Sequence, residues 1–249
     1  MIKSLRFAIA APIALALAAC NGGAEETADG AIEGEAIAKI AAPAGTEWRD
    51  TVATTELGGT LVGNPEAPLK LVEFGSLTCP TCARFSVEGV QPLMEKYVNS
   101  GVVSFELRNF AVHGPLDLLL ARMARCGTPE AVVPLSDQIW ANYDTIMAPT
   151  QANPQGFEAA MKLPAEQRFV AAADAFGYYD FFAQRGISED QARTCLADTA
   201  AIEKLANETQ RYSTEFNVSG TPTFHLNGKP VQANTWMQLE PILQRAGAR

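Results

Sequence analysis

Histidine occurs only twice in the 249-residue sequence, at His113 and His225, and neither lies near another candidate metal ligand. A structural zinc site needs four ligands, usually supplied as two close pairs. The sequence contains one close cysteine pair, Cys79 and Cys82, and its other cysteines are far apart. A zinc centre is therefore disfavoured, and neither a metal nor another cofactor is expected.

Basic residues and long apolar runs are also scarce. The 19 lysines and arginines are outnumbered by 28 aspartates and glutamates, whereas a nucleic-acid-binding protein would carry a basic patch. Beyond residue 18, no apolar run is long enough to span a bilayer. These shortages argue against nucleic acid as a partner and leave the N-terminus as the one membrane-directed candidate.

Residues 1–19 have the pattern of a secretory signal peptide. Lys3 and Arg6 form a basic start, and the apolar run that follows, 7–18, is too short for a stable transmembrane helix. The ending Leu-Ala-Ala directly before Cys20 resembles a bacterial lipobox. That resemblance implies that Cys20 becomes the first mature residue and carries lipid.

The alternative is an ordinary cleaved signal followed by a stray cysteine. The odd total of five cysteines favours lipidation of Cys20, because the remaining four can then pair. Asn21 follows Cys20, and it is not the aspartate that the lipoprotein rule links to inner-membrane retention. The outer membrane is therefore the preferred location of the anchor.

The acidic segment 20–58 is rich in alanine, glycine and glutamate. It contains eight acidic and two basic residues, a net charge of −6. Such a composition buries too little apolar surface to stay ordered. We therefore expect a flexible spacer from Asn21 to about Gly45, order beginning near Trp48, and the folded domain at 59–249.

The folded domain begins with a strand–helix–strand pattern. The apolar run 69–74 predicts a buried strand, and 80–99 predicts a helix that Pro92 should kink. Residues 102–109 alternate in polarity like a second strand. This order favours a right-handed crossover between two parallel strands.

Helical patterns then replace strand patterns. The predicted helices are 116–126, 132–146, 154–161, 165–176, 189–196 and 199–216. Two short strand-like runs around Asn227-Gly228, a strong hairpin turn pair, precede a last helix at 235–246. A mixed-direction sheet with a helical insertion is the economical α/β fold for this order.

Cys79 and Cys82 lie directly after the first predicted strand, at the start of the next helix. A purely structural disulfide is disfavoured here, because closing so short a loop removes little chain entropy. Unpaired backbone N–H groups and the positive end of the helix dipole favour a thiolate at this position. Cys79 is therefore the candidate nucleophile, and Cys82, one turn into the helix, is the candidate buried resolving thiol.

These features resemble the thioredoxin fold. The segments that carry the resemblance are VEFGSLTCPTC, 72–82, and VSGTPTFHLNGK, 218–229. The helical block between the two halves, about 115–198, resembles the DsbA-like branch of bacterial exported thiol:disulfide oxidoreductases. The resemblance covers residues 59–243 and implies a thioredoxin fold with an inserted α-helical domain.

The resemblance also implies roles for individual residues. Cys79 would attack the substrate and Cys82 would resolve the mixed disulfide. Pro222 would be a cis-proline facing the pair, and Thr221 would bond its backbone to an extended peptide; a simple strand-entry turn is the alternative. Glu73 matches the family's buried acid, which could exchange a proton with Cys82; a solvent-facing residue at the strand end is the alternative.

Pro80 and Thr81, between the cysteines, complete the predicted substrate contacts. The strongest oxidases of the family carry histidine where this chain has Thr81. A hydroxyl donates one neutral hydrogen bond, so the pKa of Cys79 should lie below that of a free thiol but above those of the strongest oxidases. Threonine before the cis-proline occurs in several isomerases of the fold, which leaves the direction of electron flow open.

Two further cysteines and both histidines lie outside the motif. Some alphaproteobacterial DsbA-like relatives resemble this chain in having a second cysteine pair, which implies a structural disulfide between Cys126 and Cys195; two buried free thiols are the alternative. His113 follows the second strand and either borders the active face or is a solvated loop residue. His225, in the hairpin, is expected to be structural.

The leading hypothesis is a lipid-anchored periplasmic oxidase, monomeric, that forms disulfides in cysteine-containing exported proteins. A DsbB-like membrane partner would reoxidise it. The alternatives are a reductase or isomerase kept reduced in the periplasm, and a peptide-binding chaperone lipoprotein whose dithiol is incidental.

Overall fold

A six-stranded sheet of mixed direction forms the centre of the computed structural model, which describes residues 33–249. The predicted signal peptide, Cys20 and the first part of the predicted spacer lie outside the described residues. The strands are β1 (Val52–Thr54), β2 (Thr60–Val62), β3 (Leu69–Gly75), β4 (Val103–Asn109), β5 (Thr223–Leu226) and β6 (Lys229–Val231).

The strand order is β1-β2-β4-β3-β5-β6, and only the central β3–β4 pair is parallel. All seven residues of β4 are buried, including Glu106 and Arg108, whose charges pair at 2.8 Å between Oε1 and Nε. Ion pairing is what allows two charges inside a central strand. The mixed sheet predicted from the sequence is confirmed, with β3 at its middle.

The helix after β3 departs from a regular α-helix. Helix α1 spans Pro80–Phe85, and the path then continues as π-helical turns at Ser86–Val90 and Leu93–Val98. Pro92 lies between those turns, and it lacks the N–H that an α-helix would use. The predicted kink therefore takes the form of widened turns.

Eight helices fill the chain between β4 and β5. They are α2 (Pro115–Ala124), α3 (Pro129–Ala141), α4 (Tyr143–Ala152), α5 (Pro154–Met161), α6 (Ala165–Ala175), α7 (Tyr178–Ala183), α8 (Glu189–Ala197) and α9 (Thr199–Glu215). Helix α10 (Trp236–Arg245) closes the described chain. The predicted helical insertion is thus confirmed, and none of the helices among residues 33–249 is both long and apolar enough to cross a membrane.

Two details of the insertion differ from the prediction. The single helix expected at 132–146 is broken at Asn142, whose backbone leaves the helical region with φ −113° and ψ 30°. Helix α7 was not predicted, because its aromatic-rich sequence is short and lacks a helical period. It begins after Gly177, which adopts a left-handed conformation with φ 71°.

The described part of the predicted spacer packs on the domain. The Gly34 N–H donates to Arg245 O at the end of α10, and the Ile37 N–H donates to Gly247 O just beyond it, both at 2.9 Å. The Ile40 N–H donates to Ser100 O at 2.9 Å. The Trp48 indole donates to Ile40 O at 2.8 Å. The expected flexibility is wrong for this stretch, because averaged composition conceals the few apolar residues that make contacts.

The folded part accordingly starts before the predicted boundary at residue 59. Strand β1 begins at Val52 and pairs antiparallel with β2. Gly101 adopts φ +75°, and a Cβ there would lie 2.4 Å from Ile40 O. Glycine at this position is therefore what lets the N-terminal segment approach the sheet.

A disulfide joins Cys126, just after α2, to Cys195 in α8, with an Sγ–Sγ distance of 2.09 Å. It ties two helices of the insertion together across 69 positions of sequence.

Removing this bridge in the C126S/C195S variant should lower the free energy of unfolding. The loop of 69 residues corresponds to about 4 kcal/mol of loop-closure entropy in the unfolded chain, an upper figure. Denaturant unfolding without reductant measures it, and C79S/C82S, which keeps the bridge, is the matched control. Equal stability of the two variants would contradict a stabilising role.

Candidate active site

Cys79 lies at the end of the short turn that joins β3 to α1. It occupies the N-cap of α1 with extended backbone angles, φ −91° and ψ 120°, and Pro80 takes the first helical turn. Both thiols are free, with Cys79 6% exposed and Cys82 fully buried. The placement at a helix start is the one expected from the sequence, and it points backbone N–H groups at the Cys79 sulfur.

The loop before β5 forms the opposite wall of the site. The Thr221–Pro222 peptide bond is cis, and the Cys79 thiol donates to Thr221 O at 3.3 Å. The two positions are 142 residues apart in sequence. Pro80, which is exposed, and Thr81, which is half-buried, follow Cys79 directly in the sequence, and their contact with substrate stays a prediction.

The pKa of Cys79 is lowered to about 5. The largest cause is a hydrogen bond from the Cys82 thiol. Burial opposes it, whereas the Thr221 side chain and the backbone N–H groups of Cys82 and Thr81 lower the pKa further. The value lies between a free thiol, about 8.5, and the lowest family values, about 3.5. It agrees with the expectation from a chain that has a hydroxyl at Thr81.

The pKa values of the second thiol, Cys82, and of the predicted acid, Glu73, are raised, whereas that of Cys79 is lowered. Burial raises the pKa of Cys82 well above its usual value, and the neighbouring Cys79 and Glu73 raise it further. Glu73, on β3, is fully buried, and neither carboxyl oxygen has a hydrogen-bond partner. Burial, Asp137 and Cys79 all raise the pKa of Glu73, which favours the neutral form of this acid. The solvent-facing alternative is therefore wrong.

A network not predicted from the sequence holds the turn before Cys79. Asp117, on α2, is 2% exposed and accepts from Ser76 Oγ at 2.8 Å, from Thr78 N at 3.1 Å and from His113 N at 2.9 Å. Burial raises the pKa of Asp117, against the lowering effect of these bonds.

Two aromatic residues of the insertion bind the same turn. The Trp140 indole donates to Ser76 O at 2.9 Å, and the Tyr143 hydroxyl donates to Thr78 O at 3.0 Å. The available sequence signal was the pair of polar residues, Ser76 and Thr78, between a buried strand and the cysteines. Nothing in the sequence indicates which distant residues pair with them.

The histidines have different surroundings. His113 Nδ1 lies 2.7 Å from Thr78 Oγ1, and its side chain is 55% exposed, so it borders the active face. His225, on β5, is 4% exposed and packs edge-on against Phe74, with ring centroids 5.1 Å apart. Burial lowers the pKa of His225, which fits the structural role expected from the sequence.

Among residues 33–249, no group of three or more histidine, cysteine, aspartate or glutamate side chains is arranged to hold a metal ion. The convergent groups are two thiols, a buried carboxyl and an extended loop at a cis-proline. This set can carry out thiol–disulfide exchange, with one sulfur activated and the other shielded.

Residues 55–245 match the model of the thioredoxin family. The chain belongs to this family. A crystal structure of a protein-disulfide isomerase from Novosphingobium aromaticivorans superposes with a TM-score of 0.70 and 33% identity, covering 75% of this chain and 96% of that one.

Two other likenesses extend the comparison. A probable disulfide bond formation protein D of Bacillus cereus is 34% identical over 86 residues, a match that spans 34% of this chain and 38% of that relative. Wolbachia pipientis alpha-DsbA1 has a TM-score of 0.59 at 18% identity, covering 76% of this chain and 91% of that one, and shows the fold. The predicted class, a DsbA-like thiol:disulfide oxidoreductase, is confirmed.

Replacing Cys82 should test the cause of the lowered pKa at Cys79. We expect thiolate absorbance of the reduced protein to rise with a midpoint that matches the Cys79 pKa of about 5. C82A should move that midpoint up toward a free thiol, about 8.5, because it deletes the donor. C82S keeps a hydroxyl donor and should shift it less; equal midpoints in both variants would argue against this cause.

Proposed function

We propose that the protein is an exported thiol:disulfide oxidoreductase that forms disulfides in cysteine-containing exported proteins. The observation that carries the proposal is the opposed pair of thiols, with the pKa of Cys79 lowered to about 5 and that of Cys82 raised by burial. The names of the Bacillus relatives, which describe disulfide bond formation, support the oxidising direction.

The reaction takes two exchange steps. A substrate thiolate attacks Cys79 Sγ, the Cys79–Cys82 bond breaks, and Cys82 leaves with the electron pair and takes up a proton, for which Glu73 is the proposed donor. A second substrate thiolate then attacks the substrate sulfur of the mixed disulfide. The substrate disulfide forms and Cys79 leaves as a thiolate, so two electrons pass to the enzyme.

The leaving group favours oxidation. A thiol with a low pKa is a good leaving group, and stabilising the reduced form makes the disulfide a stronger oxidant. Thr221 and Pro222 would hold the substrate in an extended conformation beside Cys79. A membrane redox partner of the DsbB-like, quinone-linked kind would return the pair to the disulfide.

The anchoring proposal rests on the sequence. Residues 1–19 would direct export, and Cys20 would carry the lipid that tethers the domain in the periplasm, with the outer membrane preferred because Asn21 follows. A monomer is proposed, because Cys79, Cys82, Glu73 and the Thr221–Pro222 loop of the described site all come from one chain.

A second candidate is an isomerase or reductase that works from the dithiol form. The 33% identical Novosphingobium protein is described as a protein-disulfide isomerase, and Thr221 before the cis-proline is a feature that several isomerases share. The two functions use the same residues but require opposite resting states of the pair.

Acid trapping of the protein in cells should distinguish the two functions. An oxidase should have Cys79 and Cys82 mostly as a disulfide, because its partner keeps it oxidised. Alkylation with a mass-shifting maleimide followed by immunoblotting shows whether the two cysteines are thiols or a disulfide. C79S cannot form this disulfide and keeps one free thiol, so it calibrates the gel shift for one maleimide. A mostly reduced pair would reject the oxidase in favour of the isomerase or reductase.

The mass of the mature protein should test the anchor. We expect a chain that begins at Cys20 with acyl chains on its sulfur and its amine, and we expect C20A to leave the membrane fraction. Intact mass spectrometry of the detergent-extracted protein measures this. A mature mass without acyl chains would reject lipidation while leaving the proposed chemistry unaffected.

A further inference from the structure

The resolving half of the site has no direct access to water. Cys82 and Glu73 are both fully buried, and neither Glu73 oxygen has a hydrogen-bond partner. Each exchange cycle nevertheless adds a proton to Cys82 or removes one, because this sulfur alternates between a thiol and a disulfide. A proton that passes between Cys82 and Glu73 must then reach solvent by another group.

The Glu73 carboxyl lies beside α3. A Cβ built on Gly75 would be 3.0 Å from Glu73 Oε1 and 3.3 Å from the Trp140 ring, so the carboxyl and the indole border the same space at Gly75. Asp137 lies three positions before Trp140 on α3. Residues three apart share a helix face, which places Asp137 on the side of α3 that faces the buried acid.

Asp137 is held in place by a hydrogen bond and is partly exposed. Its Oδ1 accepts from Ser86 Oγ at 2.9 Å, and Ser86 lies four residues after Cys82 on the same helical path. Asp137 is partly exposed, whereas Glu73 is not. It is therefore an acid near Glu73 that retains some contact with solvent.

The ionisation of Glu73 is coupled to that of Asp137. Asp137 raises the pKa of Glu73, and burial raises the pKa of Asp137 to about 7. Near neutrality Asp137 therefore exists in both protonation states and can take up or release a proton. Besides Asp137, the titratable groups that interact with Glu73 are Cys79, at the N-cap of α1, and Cys82.

The other buried acid near the site does not offer this route. Asp117 is 2% exposed, and its oxygens are occupied by donors from the turn before Cys79 and from His113. It holds the backbone, whereas Asp137 accepts from Ser86 and is partly exposed.

We propose that Asp137, positioned by Ser86, relays protons between Glu73 and solvent during exchange at Cys82. It acts through Glu73 and does not touch the substrate. When Cys82 resolves a mixed disulfide, its proton passes to Glu73, whose own proton has left through Asp137 to water. The Cys82 sulfur then bonds to Cys79, and the departing thiolate takes the electron pair. This inference rests on the proposed exchange chemistry but not on its direction in cells.

An aromatic disulfide, Ellman's reagent, separates the two thiols in one experiment. Mixed with the reduced protein, it should release one coloured thiolate when Cys79 attacks and a second when Cys82 resolves the mixed disulfide. At neutral pH, D137N should slow the second phase roughly tenfold, within the range of general acid–base effects, and leave the first phase unchanged. D144N, which makes the same change at an exposed acid of α4, should alter neither phase.

Two measurements distinguish a relay from a purely structural role. E73Q should slow the second phase, and adding D137N to it should cause little further loss, since both residues act on one proton. Formate should restore the second phase of D137A, because a small acid can fill the space and carry the proton. S86A removes only the hydrogen bond that positions Asp137, so it should slow the second phase by a smaller factor. It also tests the relay if D137N folds poorly.

The possible failures are separable. Second phases that match in D137N and D144N, or independent effects of E73Q and D137N, would overturn the relay and leave the proposed function intact. A wild-type protein with no second phase would overturn the relay and the proposed function together.

Discussion

The position of the reactive sulfur depends on the hydrogen bonds that the helical insertion makes to the turn between β3 and α1. Asp117, Trp140 and Tyr143 bond to Ser76 and Thr78, and Cys79 follows directly. The sheet sets where the strand ends, but a three-residue turn leaving a strand has several possible paths. A buried polar group left without its partner costs roughly 1–3 kcal/mol, so the alternative paths are unfavourable and the sulfur stays at the helix start.

That placement gives two thiols, three positions apart, opposite acid–base properties. Cys79 receives hydrogen bonds from Cys82, from the Thr221 side chain and from the first N–H groups of α1, which lower its pKa. Cys82 lies one turn deeper, where burial dominates and raises its pKa. The same hydrogen bond between the thiols lowers one pKa and raises the other, so the asymmetry follows from the helix geometry. The lowered pKa therefore does not require a charged residue at Thr81.

Short-range sequence patterns predicted many of the helices and strands of this molecule. They could not predict which residues distant in sequence come into contact. Helix α5 occurs at Pro154–Met161, as its pattern predicts, and the parallel β3–β4 pair follows from the crossover rule. The packing of residues 34–40 depends on hydrogen bonds to Ser100, Arg245 and Gly247, which are distant in sequence. The same reason hides Asp117 and Asp137, since one acid on a helix resembles another until the fold shows which of them faces a buried turn or carboxyl.

The two halves of the fold thus contribute different parts of the site. The sheet-bearing half provides the cysteines, Glu73 and the cis-proline loop, which are the groups that meet sulfur. The insertion provides Asp117, which fixes the turn, and Asp137, whose charge raises the pKa of Glu73. Because charge acts through a low-dielectric interior more strongly than through water, a residue on α3 can influence Cys82 without touching it. Changes in the insertion can therefore alter the behaviour of the resolving thiol while the Cys-Pro-Thr-Cys sequence stays the same.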